Sequence, residues 1–142
     1  MSDQLTPSAM NIAEYDIEDA FEYETQPDLT YRLDIENKHF NGYADEQEAY
    51  KQAVYKLLNT ERYEHLIYSW NYGIELRSLF GQPIPYVVPE LERRIREAIM
   101  QDDRSVSVTD FQFDTSKFGV VAVTFKATSI YGETEQQLTV AI

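Results

Sequence analysis

The sequence predicts an α+β fold in which two main helices pack on a mostly antiparallel sheet. Three observations predict it: a hairpin pattern at residues 29–44, two amphipathic helix patterns in the middle of the chain, and alternating apolar residues from residue 106 onwards that predict a three-stranded meander. The length of 142 residues suits one domain with its own hydrophobic core. We expect residues 29–142 to form that domain and residues 1–28 to form an acidic extension.

The N-terminal hairpin is predicted by the stretch LTYRLDIENKHFNGYA. Tyr31, Leu33 and Ile35 alternate onto one face of its first strand, as in a half-buried strand. Asn37-Lys38 is expected to form the turn, and Phe40 begins the return strand.

The first helix is predicted in ADEQEAYKQAVYKLLNTE. Asp45 suits the N-cap, and Glu48 is its expected capping-box partner, because each side chain can accept a hydrogen bond from the backbone N–H of the other. The apolar residues recur at helical spacing. They are Ala49, Ala53 and Leu57, flanked by Tyr50, Val54 and Leu58.

The connector after this helix contains HLIYSW, predicted as a short buried strand or extended segment. It continues with YGIELRSLFGQPIP, predicted to contain a short helix closed by Gly81 and Pro83. The second main helix is predicted in PELERRIREAIMQ, with Pro89 at its first position. Its expected inward residues are Leu91, Ile95, Ala98 and Ile99, and its expected outer ion pairs are Glu92–Arg96 and Arg93–Glu97.

The C-terminal meander is predicted by three alternating stretches. Val106 and Val108 share one phase. Phe111 and Phe113 share the other, so a bulge is predicted near Thr109-Asp110. The last two strands are expected to meet at Tyr131-Gly132, and their inward residues are Val121, Val123, Phe125 and Ala127, then Gln136, Leu138, Val140 and Ile142.

Composition restricts the classes of function. The chain has no cysteine, which excludes disulfides and thiolate metal sites. Neither a signal-peptide pattern nor an apolar run near the roughly 20 residues of a membrane span is present. We therefore expect a soluble protein that is made in a cytoplasm and has no membrane partner.

The formal net charge of −13 is concentrated near the N-terminus, because residues 1–28 contain eight acidic residues and no Lys or Arg. Nucleic acid is not an expected partner, since phosphate binding needs clustered Lys and Arg. An acidic extension either stays solvated or docks on a basic partner. Apolar side chains are interleaved with these acids, so we expect the extension to be mobile until it orders on a partner. The apolar residues are Ile12, Tyr15, Ile17, Phe21 and Tyr23.

Residues that would support catalysis or cofactor binding are few. His39 and His65 lie in different elements and do not predict a metal pair. Glycine-rich phosphate-binding motifs and the nucleophile elbow are absent, and no cofactor is expected. A glycosidase needs two carboxyl groups, one with a raised pKa, and that possibility stays open. The carboxylates that flank apolar segments are Glu75, Glu90, Asp102 and Asp103.

Two stretches have alternative interpretations. The aromatic residues of YSWNYGIELRSLFG either fill the corners of the core or form a contact surface. In IREAIMQDDRSVSVTDF, Asp102 and Asp103 follow a helix C-terminus, where the helix dipole favours cations. Arg104 either bridges these two carboxylates or reaches a carboxylate of a partner. The aromatic residues of the first stretch, YSWNYGIELRSLFG, are Tyr68, Trp70, Tyr72 and Phe80.

The chain from residue 29 to the end resembles the XkdS-like proteins of contractile phage and prophage tails. The resemblance rests on NTERY, IYSWNYGIEL, PELERRI and QDDR in this order. That family is distantly similar to the small baseplate wedge protein of contractile-tail phages, known as the sheath initiator or lysozyme-like wedge protein. Related proteins occur in tail-like bacteriocins and type VI secretion baseplates.

The resemblance implies a counterpart of the Glu-Pro-Arg motif that the wider family carries between its last long helix and the following strand. Asp102 matches the Glu, Asp103 replaces the Pro and Arg104 matches the Arg. The Tyr72-Gly73 step before Glu75 matches a turn in the middle of the family. Because the family's motif is associated with contact to the helical core bundle of the wedge, the resemblance favours partner binding by these residues over catalysis.

The implied function is that of a structural baseplate component that docks on the wedge scaffold and initiates sheath assembly. Its partners would be baseplate wedge proteins and the tail sheath protein, and a six-fold baseplate implies six copies. It would reside in a virion or tail-like particle assembled in the host bacterial cytoplasm. The C-terminal strand either pairs on both edges within the meander or accepts sheath strands, and the resemblance favours the second. In the second case Leu138, Val140 and Ile142 are the expected partner-binding residues.

Two other function classes stay open. The first is a peptidoglycan-degrading, lysozyme-like enzyme of the tail, because some members of the family carry the lysozyme label. The second is an acidic anti-nuclease or DNA mimic. That class would account for the charge of the extension, but not for the order of motifs across the folded part.

Overall fold

The computed structural model describes residues 28–142, so the predictions for the acidic extension before Asp28 lie outside the described residues. The elements are β1 (Thr30–Asp34), β2 (His39–Ala44), α1 (Glu46–Leu58), a 3-10 helix (Arg77–Leu79), α2 (Ile84–Ile99), β3 (Ser105–Asp114), β4 (Val120–Ser129) and β5 (Gly132–Ala141). The strands form an antiparallel hairpin, β1–β2, and an antiparallel meander, β3–β4–β5. The predicted α+β class and order of elements are confirmed. Between Asp28 and Ile142, no helix is both long and apolar enough to cross a bilayer.

One hydrophobic core is shared by α1, α2 and the inner face of the meander. The inward residues predicted for β4 and α2 are all buried, because each periodicity places its apolar side chains on one face. Both ion pairs predicted on the outer face of α2 are present. On α1 the predicted stripe is buried except for Ala53, which is partly exposed.

The start of α1 differs in one respect from the prediction. Asp45 is the N-cap, and its Oδ1 accepts a hydrogen bond from the backbone N–H of Glu46 at 2.8 Å. The capping-box partnership with Glu48 is wrong, because the Glu48 carboxylate binds the guanidinium of Arg32 on β1 at 2.7 and 2.8 Å. A charged donor is a stronger partner for a carboxylate than a neutral backbone N–H.

The hairpin is also joined to α1 by the side-chain amide of Gln52. Its Oε1 accepts a hydrogen bond from Leu33 N at 2.8 Å, and its Nε2 donates to Tyr31 O at 2.8 Å. A neighbouring strand would occupy the same donor and acceptor of β1. The amide of Gln52 therefore takes the place of a third strand at this edge.

The prediction of a buried strand at HLIYSW is wrong. Residues 65–70 form irregular turns, and Leu66 and Trp70 are 104% and 82% exposed. Ile74 and Leu79, which follow in the connector, supply its buried apolar side chains instead. The short helix expected there is present as the 3-10 helix.

The predicted start of the second main helix is also wrong, because α2 begins at Ile84 and contains Pro89. The missing N–H of Pro89 removes the intrahelical partner of the Pro85 carbonyl. Pro85 lies in the first turn and is exposed, so water can satisfy its carbonyl. A proline six positions into a helix is therefore tolerated here.

The bulge predicted near Thr109-Asp110 is confirmed, since the register with β4 shifts there and Asp110 has a φ of 56°. A second shift, at Val106 near the start of β3, was not predicted. It leaves Val106 56% exposed while Val108 is buried. The prediction that these two valines share a face is therefore wrong.

Candidate functional site

Arg104 is the centre of a charged cluster at the junction of α2 and β3. Its Nε and Nη2 donate to the two carboxylate oxygens of Asp102 at 2.9 and 2.7 Å, and its backbone N–H donates to Asp102 Oδ1 at 2.9 Å. Its Nη1 donates to Asp28 Oδ1 at 3.0 Å. Arg104 thus bridges two carboxylates of its own chain, but the second belongs to Asp28 and not to Asp103, which is exposed.

The cluster is largely shielded from solvent, with side-chain exposures of 21% for Arg104, 24% for Asp102 and 11% for Asp28. Burial by itself would raise the pKa of Asp102, but the hydrogen bonds and charge of Arg104 outweigh it and hold that pKa below its usual range. The hydrogen bonds to Asp102 likewise raise the pKa of Arg104, with a further contribution from Asp28. The Asp102–Arg104 pair is therefore ionised at neutral pH.

Tyrosine side chains complete the cluster. The hydroxyl of Tyr131 donates to Asp28 Oδ2, and this hydrogen bond raises the pKa of Tyr131. The guanidinium carbon of Arg104 lies 5.7 Å from the centre of the Tyr50 ring, within the range of a cation–π contact.

The C-terminus of α2 is stabilised by the same group of residues. Ser105 Oγ donates to the Ile99 carbonyl at 2.8 Å and, having used its proton, accepts from the Tyr50 hydroxyl at 2.9 Å. The positive charge of Arg104 next to Asp102 offsets the unfavourable placement of an acid at a helix C-terminus. This is the compensation that the sequence required.

A cavity of about 420 Å³ brings Tyr72 together with Asp102 and Arg104, which are distant from it in the sequence. The Tyr72 ring stacks on that of Tyr68 with centroids 4.5 Å apart, and burial raises the pKa of Tyr72. The structure thus joins two of the groups singled out in the sequence. The other cavity-lining residues include Ala53, Val54, Leu57, Ala98 and Ile99.

Gly73 and Glu75 have other surroundings. Gly73 has a φ of 97°, and a Cβ at this position would lie 2.6 Å from the Thr60 carbonyl oxygen. Glycine is therefore needed for the close approach of two backbone segments. Glu75 lines a separate polar cavity of about 280 Å³, and its carbonyl oxygen accepts from Arg94 Nη1 at 2.7 Å.

An exposed apolar surface is formed by the loop that follows α1. Leu66, Ile67 and Trp70 are 104%, 86% and 82% exposed. The core interpretation of the aromatic stretch is wrong for Tyr68, Trp70 and Phe80, which are 42%, 82% and 53% exposed. Leu66 and Ile67 were missed as surface residues, because a short apolar run without alternation is also the pattern of a buried strand.

The meander has a free edge along β5, which among the described residues pairs only with β4. Ile142 N donates to Gly119 O at 2.9 Å, which fixes the phase of the ladder. The backbone groups of Leu138 and Val140 therefore face β4, and their side chains are buried in the core. In the described part of the chain, the alternative in which this strand pairs on both edges is therefore not what the fold shows.

Sequence reasoning selected the supporting residues of β5 and missed those at its free edge. The outward backbone groups belong to the residues in the opposite phase, which are Gln137, Thr139 and Ala141. At the start of the strand, the carbonyl of Glu133 accepts a hydrogen bond from Gln47 Nε2 at 2.7 Å. The alternation of side chains predicts the two faces of a strand, but not which backbone groups lack a partner.

Within residues 28–142, no group of three or more His, Asp and Glu side chains is arranged to hold a metal ion.

Comparison with known proteins gives two matches. A family model described as the contractile injection system sheath initiator matches residues 21–132. The phage-like element PBSX protein XkdS of Bacillus subtilis (strain 168) is 40% identical over 89 residues, which are 60% of this chain and 63% of that relative. The chain therefore aligns with less than two thirds of the relative's length. The Arg104 cluster and the exposed apolar loop lie inside the range of the family model, whereas most of β5 lies beyond it.

Proposed function

Because the chain belongs to the family of contractile injection system sheath initiators, we propose that it is a baseplate component that docks on the wedge scaffold and offers its meander to the first ring of sheath. The relative from a phage-like element agrees with a structural role in a contractile tail or tail-like particle. In this proposal, the chain acts by binding two kinds of protein partner and catalyses no reaction. Six copies in a six-fold baseplate, assembled in the host bacterial cytoplasm, form part of the proposal.

The free edge of β5 is the observation that carries the sheath-binding half of the proposal. The strand is ten residues long and contains neither Lys nor Pro, which commonly protect exposed edges. The outward backbone groups of Gln137, Thr139 and Ala141 would pair with an extended arm of a sheath subunit. Main-chain hydrogen bonds supply affinity in this mode of binding, and alternating side chains supply register.

The inner residues of β5 make this edge rigid. Leu138 and Val140 are 7% and 3% exposed and pack in the core, so the strand is already ordered before a partner arrives. Binding to an ordered edge does not require this side of the interface to lose further conformational entropy. Leu138, Val140 and Ile142 are thus proposed to contribute to partner binding by holding the strand in place.

The exposed apolar loop and the Arg104 cavity support the wedge-docking half. Soluble monomers rarely expose contiguous large apolar side chains, and such patches mark interaction sites. Leu66, Ile67 and Trp70 are proposed to contact the wedge, together with Tyr72 and Arg104 at the neighbouring cavity. Asp103 is available to the same partner because it is exposed.

Two of the four candidate acids do not have the raised pKa that the enzyme alternative requires. A glycosidase requires a general acid whose pKa is raised. The hydrogen bond from Arg93 lowers the pKa of Glu90, and Arg104 lowers that of Asp102. We therefore propose the structural role over the lysozyme-like one.

Replacing Thr139 by proline tests the sheath-binding half. Proline removes the outward N–H of an edge strand, a position where it is otherwise tolerated. We expect particles that carry Thr139→Pro to have complete baseplates and naked tubes without sheath. Thr139→Ala is the matched control, because it keeps the N–H and should permit sheath assembly. Normal sheath on Thr139→Pro baseplates would rule out this edge as the sheath-binding surface.

A further inference from the structure

Asp28 lies in a niche that is built for a carboxylate. Its Oδ1 accepts from Arg104 Nη1 at 3.0 Å, and its Oδ2 accepts from the hydroxyl of Tyr131. These two donors are 76 and 103 residues away in the sequence, and one directly precedes β3 while the other lies in the turn between β4 and β5. The Asp28 side chain is only 11% exposed, so the niche shields its occupant from water.

The niche does not depend on Asp28 for its shape. Arg104 is held by Asp102, which binds Nε, Nη2 and the backbone N–H of Arg104. Nη1 therefore points into the niche whether or not Asp28 is present. Tyr131 lies in the turn between β4 and β5, whose strands pair along their whole length. The two donors are thus positioned by elements that remain folded when Asp28 leaves.

Asp28 itself is weakly tied to the fold. It precedes β1 and belongs to no helix or strand, and the next residue, Leu29, is 61% exposed. Withdrawal of Asp28 would break no ladder or helix. Leaving Arg104 without its second carboxylate would be costly, because an unpaired charge in a shielded site is strongly unfavourable. Another carboxylate that entered as Asp28 left would restore the same charge and hydrogen bonds.

We propose that the niche formed by Arg104 and Tyr131 is a docking site for an acidic side chain of the wedge partner, and that Asp28 occupies it until the partner displaces it. This inference rests on the proposed function, because it names the chemistry recognised at the docking site. Asp28 competes with the partner for the niche. The apparent affinity of the partner is therefore its intrinsic affinity multiplied by the fraction of chains whose niche is empty. Removing Asp28 should therefore strengthen docking.

Chemical rescue tests the niche on the isolated protein. Asp28→Ala empties the niche, and sodium acetate is the probe. We expect acetate to cause saturable NMR shifts of the Arg104 Nε–H and the Tyr131 amide in Asp28→Ala, and to raise its unfolding midpoint, relative to chloride at equal ionic strength. The wild-type protein and Glu36→Ala, which loses an exposed carboxylate far from the niche in the sequence, should show neither effect. The absence of saturable shifts in Asp28→Ala would overturn the assignment of the niche.

A competition between variant and wild-type chains during particle assembly tests whether the partner displaces Asp28. This displacement is called the exchange below. Wild-type and variant chains are supplied in equal amounts, and their ratio is measured in purified particles. We expect Asp28→Ala to be enriched about fivefold or more, which is the lower end of typical coupling between sites. Asp28→Asn keeps the size of the side chain, guards against a folding defect of the alanine variant, and should also be enriched. Glu36→Ala, which loses an exposed carboxylate in the turn between β1 and β2, should be incorporated equally with the wild type.

The outcomes separate the two proposals. If both Asp28 variants are incorporated no better than the wild type, the exchange is refuted while the chain remains a baseplate component. Absence of the wild-type chain from baseplates would instead overturn the proposed function, and the exchange with it.

Discussion

Replacement of Arg104 by alanine is expected to lower the free energy of unfolding of the isolated protein by about 2–3 kcal/mol. The change leaves the carboxylates of Asp102 and Asp28 without their cation. Removing one side of a fully buried ion pair costs about 3–5 kcal/mol, whereas an exposed pair contributes about 1 kcal/mol or less. With side-chain exposures of 21%, 24% and 11%, this cluster lies between those limits. The domain should remain folded, since domains of this kind have about 5–15 kcal/mol of stability.

Urea and thermal unfolding measure the effect, with Arg93→Ala as the control. Arg93 also contacts two carboxylates, but its side chain is 57% exposed, so its loss should destabilise the protein much less than the loss of Arg104. For a chain of this size, the expected loss at Arg104 corresponds to a fall in the unfolding midpoint of about 6–12 °C.

The effect of Arg104→Ala should also depend on pH. The pKa of Asp102 is lower in the folded protein than its usual value. The stabilisation is therefore fully present above the unfolded-state pKa of about 4, and it is lost as the pH falls through the lower folded-state value. The difference in stability between wild type and Arg104→Ala should shrink over that range. Equal losses in Arg104→Ala and Arg93→Ala, or a difference that stays constant into strong acid, would refute the bridging role of Arg104.

Two further predictions concern the connector. Gly73→Ala should lower the unfolding midpoint more than Gly42→Ala, because both positions have a positive φ but only Gly73 faces a backbone carbonyl 2.6 Å from the new Cβ; equal effects would mean that the clash is relieved. Trp70→Ser should change the free energy of unfolding by no more than about 0.5 kcal/mol, since the side chain is 82% exposed. Its incorporation into purified baseplates should nevertheless fall, and unimpaired incorporation would count against the docking surface.

The meander and the body of α2 were predictable because their burial follows from local periodicity. In β4 every second residue faces the core, and in α2 the apolar residues recur at helical spacing, so the sequence pattern contains the answer. Even the bulge near Asp110 was visible as a change of phase. Such features depend on neighbours along the chain.

The start of α2 and the exposure of HLIYSW depend on packing in the folded protein, which local periodicity does not reveal. Pro89 has the properties of a first helical residue, but whether a helix extends further towards the N-terminus depends on the packing of residues such as Val87, which is fully buried. An apolar run is buried only if the core has room for it. Here Ile74 and Leu79 are buried, while Leu66 is exposed.

Of the contacts in the candidate site, only the local one could be predicted, because it depends on neighbours along the chain. The contact between Arg104 and Asp102 spans two residues, and the poor placement of an acid at a helix end pointed to it. The contacts with Asp28 and Tyr131 join distant parts of the chain, and no local pattern selects one acidic residue among the 25 in the sequence.

Two side-chain amides of α1 affect self-association, because Gln52 binds the hairpin and Gln47 binds the meander. A chain that accumulates before assembly is at risk of aggregation, since any free strand edge can serve as a template for another copy. Gln52 occupies both a donor and an acceptor of β1 at the place where another strand would pair. Gln47 occupies only the Glu133 carbonyl at one end of β5, and no other strand among residues 28–142 pairs with that edge. In the proposed role, the helix would thus suppress unproductive polymerisation at the hairpin, while the meander would keep an edge on which an ordered polymer can start.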